Sequence, residues 1–482
     1  MSGNIARAVR QACREWPHRP AVVEVSTSRV TTFEQLSALV DRQARALRAA
    51  LGDPQPNRPV VAVTGTAETV ETLASILACD QVGVVALVRP APGRATWFRQ
   101  LAAAAPAVAL ASDGTVSPLP GGPRRGGVDP DTYQVVATSG STGVPKLVQL
   151  TDTGTLLATA VYRSHARISP GEAVAVPQSL ATVGALPSGV LPAILDGGTA
   201  VLTAGGGIGS FLEGLVEQPV VFAMAVTGWW QACLRARGLP QVPGLRLLGV
   251  GGSAWQHLVP GIQRWLPGAV ILGNYGLSET HGPALQVTSA QTRRFTSVTG
   301  RAVGGLQVAV RDADGSEVPA GSSGVLWLRG DLVTPGFLGG PVDAGPDTGG
   351  WLCTGDVAVL LEDSWVRVVD RADDLVNVAG RKVYPAEVEA ALLGLAGVTD
   401  CAVVRSSGPA ETRRLGAFVV REAGVGPATV AEAGVRRQVI AAVGDHAVPS
   451  LVELVDDLPR TGNGKVDRRA LQARLDAALA AT

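Results

Sequence analysis

Lysine is scarce: Lys146, Lys382 and Lys465 are the only three in 482 residues, so 38 of the 41 basic side chains are Arg. A GC-rich coding bias accounts for many arginines but not for where the three lysines fall. Histidine and cysteine are also few and unclustered. The five histidines include no HxxxH or HExxH pair, so an all-protein metal cage is not expected and any metal would arrive with a substrate phosphate. Cysteines at 13, 79, 233, 353 and 401 form no CxxC pair, which argues against a zinc ribbon, a redox dithiol or a disulfide framework. A reducing, cytoplasmic setting fits. Net charge is zero, with 41 basic and 41 acidic residues, leaving no electrostatic case for nucleic acid or an anionic membrane as partner. Residues Met1 to Pro17 lack the apolar core and cleavage site of a signal peptide. The most apolar stretch, Val174 to Thr203, is interrupted by Pro177, Pro187, Pro192 and Asp196, so it reads as buried strand, loop and helix and not as a membrane span.

What the chain does have is apolar substance, 46% of its residues, enough for two or more domains with large cores. Thr32-Phe33-Glu34-Gln35 has capping-box spacing and opens an amphipathic helix that Gly52 would stop. A strand at Val60 to Val63, a helix from about Ala67 to Cys79 and a strand at Val84 to Val88 begin a rhythm. It recurs with strands at Gln134 to Ala137, Ala173 to Val176, Ala200 to Leu202, Val220 to Ala223, Leu247 to Val250 and Val270 to Leu272. Short, uniformly apolar strands imply coverage on both faces, hence an α/β fold: a large N-terminal domain with mainly parallel sheets flanked by helices. Texture changes at Asp370-Arg371-Ala372-Asp373-Asp374, four charges in five residues. A compact set follows: helix Pro385 to Leu395, strands Cys401 to Val404 and Gly416 to Val420, and helix Val430 to Val443. Two domains, 1–372 and a small α+β unit 373–482, are therefore expected.

Two lysines sit in loops rich in Gly, Ser and Thr: Thr138-Ser139-Gly140-Ser141-Thr142-Gly143-Val144-Pro145-Lys146 and Leu458-Pro459-Arg460-Thr461-Gly462-Asn463-Gly464-Lys465. An ammonium is a compact point charge where guanidinium is a broad fork, so a site admitting one cation among phosphate oxygens can demand Lys. Hydroxyls and exposed N–H groups in the first loop suit phosphate as well. That loop is neither a Walker loop nor a GxSxG elbow. Three more segments join them: Gly273-Asn274-Tyr275-Gly276-Leu277-Ser278-Glu279-Thr280; Trp351-Leu352-Cys353-Thr354-Gly355-Asp356, which puts a carboxylate on a tight turn; and Asp370 through Gly380-Arg381-Lys382 to Glu389. Any one of them alone is an ordinary loop or a solvated charged patch.

In this order the five segments resemble the core motifs of the adenylate-forming superfamily of acyl- and aryl-CoA synthetases, peptide-synthetase adenylation domains and luciferases. The resemblance spans Thr32 to Arg468. It implies a large N-terminal domain and a small mobile C-terminal lid, with a carboxylate attacking the α-phosphate of MgATP to give acyl-adenylate and pyrophosphate before a thiol takes the acyl group. It implies that Thr138, Ser139, Gly140, Ser141, Thr142, Gly143 and Lys146 hold the β- and γ-phosphates. Tyr275 would stack on adenine beside Asn274 and Gly276, with Gly252 and Ser253 along the base edge. Ser278, where the family usually has Thr, would face the α-phosphate, and Glu279 would bind Mg²⁺. Asp356 would accept from the ribose, Arg371 would reach ribose or phosphate, and Lys465 would bridge the carboxylate and α-phosphate; the alternatives are that Asp356 and Arg371 pair with other side chains, that Tyr275 is core and that Lys382 is a surface charge. Asp373 would be the hinge and Gly380 would line the thiol tunnel. Leu180, Thr182, Gly184, Trp230 and Gly273 would form the acyl pocket, although Trp229 and Trp230 read equally well as packing.

Two departures narrow the substrate. Pro177-Gln178-Ser179-Leu180-Ala181-Thr182-Val183-Gly184 lacks the His or aromatic gate of many acyl- and aryl-CoA synthetases. No Asp lies between Glu172 and Asp196 to pair with an ammonium, and a buried unpaired cation costs several kcal/mol, so an α-amino acid is disfavoured. A small-molecule aryl or acyl acid is expected, with coenzyme A as acceptor. The alternatives are loading of a separate carrier protein through its phosphopantetheine, formation of an amide, or an inactive nucleotide-binding relative.

Overall fold

A computed structural model describes residues 4–52, 58–65, 68–89, 97, 100–101, 104–119, 127–138, 146–236, 238–252, 255–292, 298–339, 345–378, 381–408, 412–422, 430–460 and 466–480. Ser139, Gly140, Ser141, Thr142, Gly143, Ser253, Gly380 and Lys465 lie outside the described residues, as does the side chain of Lys382.

The capping box at Thr32 forms as read: its hydroxyl accepts from Gln35 N at 3.2 Å, and Gln35 Oε1 accepts from Thr32 N at 2.9 Å. The helix it starts, Phe33–Leu51, ends at Gly52 in a positive-φ conformation. The helix expected from Ala67 instead spans Val70–Val82, because Thr69 is its N-cap and accepts from Thr72 N. Two large sheets carry the N-terminal part. One has nine strands in the order Arg301–Ala302, Leu285–Thr288, Val270–Tyr275, Leu247–Gly251, Val220–Val226, Ala173–Val176, Thr199–Leu202, Pro20–Glu24, Arg29–Thr32. Its six central strands are parallel, and both edges are antiparallel. The second has seven strands around the parallel set Thr132–Thr138, Val85–Val88, Val60–Val63 and Val108–Leu110. Strands such as Val60–Val63 and Ala173–Val176 are buried at every position, the pattern of sheets covered on both faces.

The Asn4–Glu15 helix enters this core with its first amides aimed at two buried carboxylates. Asn4 N and Ile5 N donate to Asp152 at 3.2 and 3.4 Å, and Ala6 N donates to Asp80 at 2.7 Å. Burial, then the charge of Asp152, pushes the Asp80 carboxyl up to about 7.

Between the large sheets and the C-terminal part lies a four-stranded antiparallel sheet, Gln307–Arg311, Ser323–Arg329, Leu352–Leu360 and Val366–Arg371. Its alternating burial leaves one face in solvent, where Arg311 lies over the Trp327 and Trp351 rings, 4.8 Å from each centroid. The C-terminal part is α+β: a hairpin Val376–Val378 and Arg381–Val383, a three-stranded sheet Val398–Arg405, Leu415–Arg421 and Leu451–Val455, and helices Pro385–Leu393, Glu432–Ala442 and Arg468–Ala480. It has a core of its own around Val388, Leu392, Val403, Val419 and Val439. No helix among the described residues is long and apolar enough to cross a membrane.

Candidate active site

Three of the expected segments meet at one carboxylate. The Tyr275 hydroxyl, at the end of strand Val270–Tyr275, donates to Asp356 Oδ2. Arg371 Nη1 lies 3.2 Å from Asp356 Oδ1 and also donates to Thr354 O at 3.2 Å. The tight turn expected at Asp356 is instead strand Leu352–Leu360, carrying a bulge after Val357 and a positive φ at Gly355. That irregularity re-aims the side chain, and Asp356 N is fixed by the Thr354 hydroxyl at 3.0 Å. Burial pushes the Asp356 carboxyl up, against the lowering pull of the Tyr275 hydroxyl and the Arg371 charge. Burial and the Asp356 charge together drive the Tyr275 phenol well above its ordinary value. Tyr275 therefore stays a neutral donor.

Ser278, Glu279 and Thr280 make one 3₁₀ turn directly after that strand. Glu279 is half-buried, its carboxylate makes no ion pair among the described residues, and its carbonyl accepts from Thr334 N at 2.8 Å. Asn274 is turned away. Its Oδ1 accepts from Gln286 Nε2 at 3.0 Å and it bonds the Tyr162 hydroxyl, so the side chain is spent between its own sheet and the Asp152–Ala166 helix. Gly252, in a positive-φ conformation, follows strand Leu247–Gly251 and is exposed. Thr138 and Lys146 pair across the hairpin that flanks the phosphate-loop candidate, and the Lys146 ammonium lies 5.3 Å from the centre of the Phe337 ring. Among the described residues, no group of three His, Cys, Asp or Glu side chains could hold a metal.

The acyl-pocket set does not converge. Trp230 is fully buried, its indole N–H donates to Gly249 O at 2.9 Å, and its ring packs edge-on against Phe211. It is a core residue. The space off Gly273 is already filled, since a Cβ there would come within 2.2 Å of the Trp255 indole. Leu180 is fully buried in a different apolar cluster from Trp230, and its carbonyl accepts from Gln134 Nε2 at 3.0 Å. Only Thr182 and Gly184 remain partly exposed, in the turn where the Thr182 hydroxyl donates to Ser179 O. Beside them stands Gln178, whose Nε2 donates to Met224 O at 2.6 Å while its buried Oε1 has no partner among the described residues. Glu68 reaches the same loop through a bond to Ser179, and burial raises its carboxyl. Where many acyl- and aryl-CoA synthetases carry a ring after this proline, Gln178 supplies an amide directly after Pro177.

At the joint, Asp373 is exposed in the 3₁₀ turn Ala372–Asp374, and its carbonyl accepts from Arg413 at 3.5 Å. Asp370 is anchored more firmly: Oδ2 accepts from Ala386 N at 2.7 Å and Oδ1 from Arg371 N at 2.8 Å. Burial raises its carboxyl.

His281 went unread in the sequence, although it directly follows Glu279-Thr280. It is fully buried with φ +54°, rare for a non-glycine residue. Its Nε2 accepts from Thr151 N at 2.8 Å, and its Nδ1 lies 2.7 Å from Leu332 O. One neutral imidazole thus ties the Glu279 turn to the strand that leaves the phosphate loop. Burial pushes its pKa down to about 4 from an ordinary 6.5, and a second ring N–H would face the Thr151 donor. The unfolded chain therefore binds the proton first as pH falls. His281 contributes stability that is complete above pH 6.5 and drains away between 6.5 and 4, about 3 kcal/mol in total. Asp80, raised to about 7, acts with the opposite sign, because its contribution is present at low pH and lost as pH rises through 7. Wild-type melting alone would blur the two. The wild-type advantage over His281→Gln should shrink between pH 7.5 and 4.5, and an advantage that stays constant would contradict this role.

Family models match the chain in two places. The model described as AMP-binding enzyme matches residues 111–338, and that described as AMP-binding enzyme C-terminal domain matches 387–465. The chain belongs to the AMP-binding, adenylate-forming family. Among relatives, it is 34% identical over 231 residues to a long-chain-fatty-acid–CoA ligase of Yersinia pestis, covering 47% of this chain and 40% of that one. It is 29% identical over 509 residues to feruloyl-CoA synthase of an Amycolatopsis species, covering 97% of this chain and 98% of that one. ATP-bound MatB from Rhodopseudomonas palustris superposes with a TM-score of 0.83 at 21% identity, over 99% of this chain and 100% of that one. The chain thus spans well under two thirds of the long-chain ligase, and the likeness to MatB concerns the fold. Like other members of this α/β family, it joins a large part with mainly parallel sheets to a smaller C-terminal part.

Proposed function

We propose that this chain activates an aryl or acyl carboxylic acid with MgATP, releasing pyrophosphate, and transfers the acyl group to the thiol of coenzyme A. The observation that carries this reading is the meeting of Tyr275, from the nine-stranded sheet, with Asp356 and Arg371, which face each other across adjacent strands of the four-stranded sheet, at one buried carboxylate. A carboxylate backed by an arginine suits the two hydroxyls of a ribose, and the tyrosine ring, half-buried against the cluster of Leu306, Leu326 and Leu328, would offer its remaining exposed part to a base. Glu279 would hold Mg²⁺ together with phosphate oxygens, in keeping with a hard cation that takes few protein ligands. Ser278, Thr138 and Lys146 would face phosphates, Lys465 would bridge the acid and the α-phosphate, and Gly380 would line the thiol path. The boundary falls at 372/373, with Asp373 as hinge. Similarity to feruloyl-CoA synthase over nearly the whole of both chains favours an aryl acid. Gln178, neutral and with a spare acceptor, suits a substrate tail that bears a hydroxyl better than one that bears a charge.

Acid-dependent exchange of labelled pyrophosphate into ATP tests the first half. Hydroxylated aryl acids should give the fastest exchange in a panel with fatty and amino acids. Competing coenzyme A, a phosphopantetheinylated carrier and an amine for the activated acid then identifies the acceptor. ATP binding with no exchange for any acid would leave a nucleotide-binding relative.

A further inference from the structure

We propose that Asp400 is a positioning residue for adenylation: it docks the C-terminal part on the Thr227–Arg235 helix and, through Arg460, holds the stem of the loop that leads to Lys465. This rests on the adenylation reading above. Asp400 opens no motif and sits in strand Val398–Arg405, yet its side chain is only 6% exposed and every lone-pair direction is used. Oδ1 accepts from Cys401 N at 2.9 Å and from Gln231 Nε2 at 3.3 Å. Oδ2 accepts from Arg460 Nη2 at 2.7 Å and from Arg235 Nη2 at 3.4 Å.

The lengths sort these partners by origin. Cys401 and Arg460 belong to the C-terminal part and hold Asp400 tightly, whereas Gln231 and Arg235 come from the N-terminal part and hold it loosely. Charge-assisted bonds are strongest when short, so the Asp400–Arg460 pair stays together while the contacts across the interface can part. On parting, Arg460 still neutralises the carboxylate, and Arg235, already 35% exposed, gains solvent. A second bond across the same seam, Arg235 Nη1 to Asp457 Oδ1 at 3.4 Å, has the same loose length. Gln231 Nε2 is also 3.0 Å from His257 Nε2, which fixes the amide toward the seam. Arg460 pairs as an isolated antiparallel bridge with Val466, so the two ends of the loop are pinned together at the residue Asp400 grips. A buried anion and two arginines from opposite sides therefore form one unit that sets where the stem, Asp457 to Arg460, sits against the Thr227–Arg235 helix.

Asp400→Asn keeps the shape but removes the charge and turns an N–H₂ toward guanidinium groups. It should slow acid-dependent pyrophosphate exchange ten-fold or more, while thioester formation from synthetic acyl-adenylate and coenzyme A stays within two-fold. Arg235→Gln, which spares the stem, should show a smaller loss with the same split. Equal losses in both half-reactions by variants that melt like wild type, or no loss in exchange, would overturn the proposal. Hydrogen exchange of the full chain adds a readout independent of activity: Asp400→Asn should raise deuterium uptake in 227–235 and 458–460 together, and unchanged uptake in either would overturn the docking. Should wild type give no exchange with any acid, the adenylation reading fails, and the uptake measurement still decides the docking.

Discussion

Replacing Lys465 with Ala is expected to slow acid-dependent pyrophosphate exchange by about 100- to 1,000-fold, the usual cost of losing one donor aimed at developing charge. Attack of a carboxylate on the α-phosphate concentrates negative charge on the phosphorus-bound oxygens and the departing pyrophosphate, and an ammonium relieves it only if it is present at that moment. Transfer of the acyl group from preformed adenylate to a thiol develops its charge on a carbonyl oxygen instead, so Lys465→Ala should leave that step near the wild-type rate. Lys465→Arg should not rescue exchange, since a planar fork cannot occupy the place of a compact cation. In a chain with 38 arginines and three lysines, that failure is the physical content of the lysine's retention. The measurement is a pair of half-reactions on one preparation, and equal loss in both would remove Lys465 from the role.

How legible all this was in the sequence depends on what each residue has to do alone. Parallel strands such as Val60–Val63 announce themselves because burial on both faces forces a run of apolar residues. The capping box at Thr32 is local chemistry and was readable as such. The four-stranded antiparallel sheet from Gln307 to Arg371 was not, because its one-sided burial and Arg-on-Trp face blur into loop composition. Tyr275, Asp356 and Arg371 were legible as a set through their motifs, although the bulged strand under Asp356 read as a turn. The acyl pocket failed for the opposite reason. Composition leaves Trp230 equally readable as pocket or packing and says nothing of what surrounds Gly273, and only the fold reveals that Phe211 and Trp255 occupy their surroundings. His281 and Asp400 carry no motif because their partners, Thr151 and Leu332 for one and Arg235 and Arg460 for the other, are distant in sequence. A single polar residue in a chain gives no hint of which backbone amide or guanidinium it will meet.

The second large effect is expected from a single methyl group. Gly276 lies between Tyr275 and the Ser278-Glu279 turn, and a Cβ built on it would lie 1.4 Å from Gly282 O and 2.6 Å from Gly282 C. Both atoms are backbone, so no rotamer change relieves the clash. Nor can Gly282 retreat freely: His281 is held on one side by Thr151 and Leu332, and on the other Ala284 N donates to Tyr275 O at 2.9 Å. Gly276→Ala must therefore pry the loop open, moving the Tyr275 hydroxyl off Asp356 and shifting Glu279 with it. Displacement of about 1 Å in a positioning element costs about 100-fold in rate, and overpacking against backbone costs about 3 kcal/mol. Both a drop in melting temperature and a loss of pyrophosphate exchange of that order are expected. Gly434→Ala is the control, since a Cβ there meets nothing within 4 Å inside the Glu432–Ala442 helix, where Ala is favoured over Gly by about 0.5–1 kcal/mol. If Gly276→Ala instead melted and exchanged like Gly434→Ala, the fold-back of 276 onto 282 would not be what places the tyrosine and the carboxylates, and the site would have to be held from the Asp356 side alone.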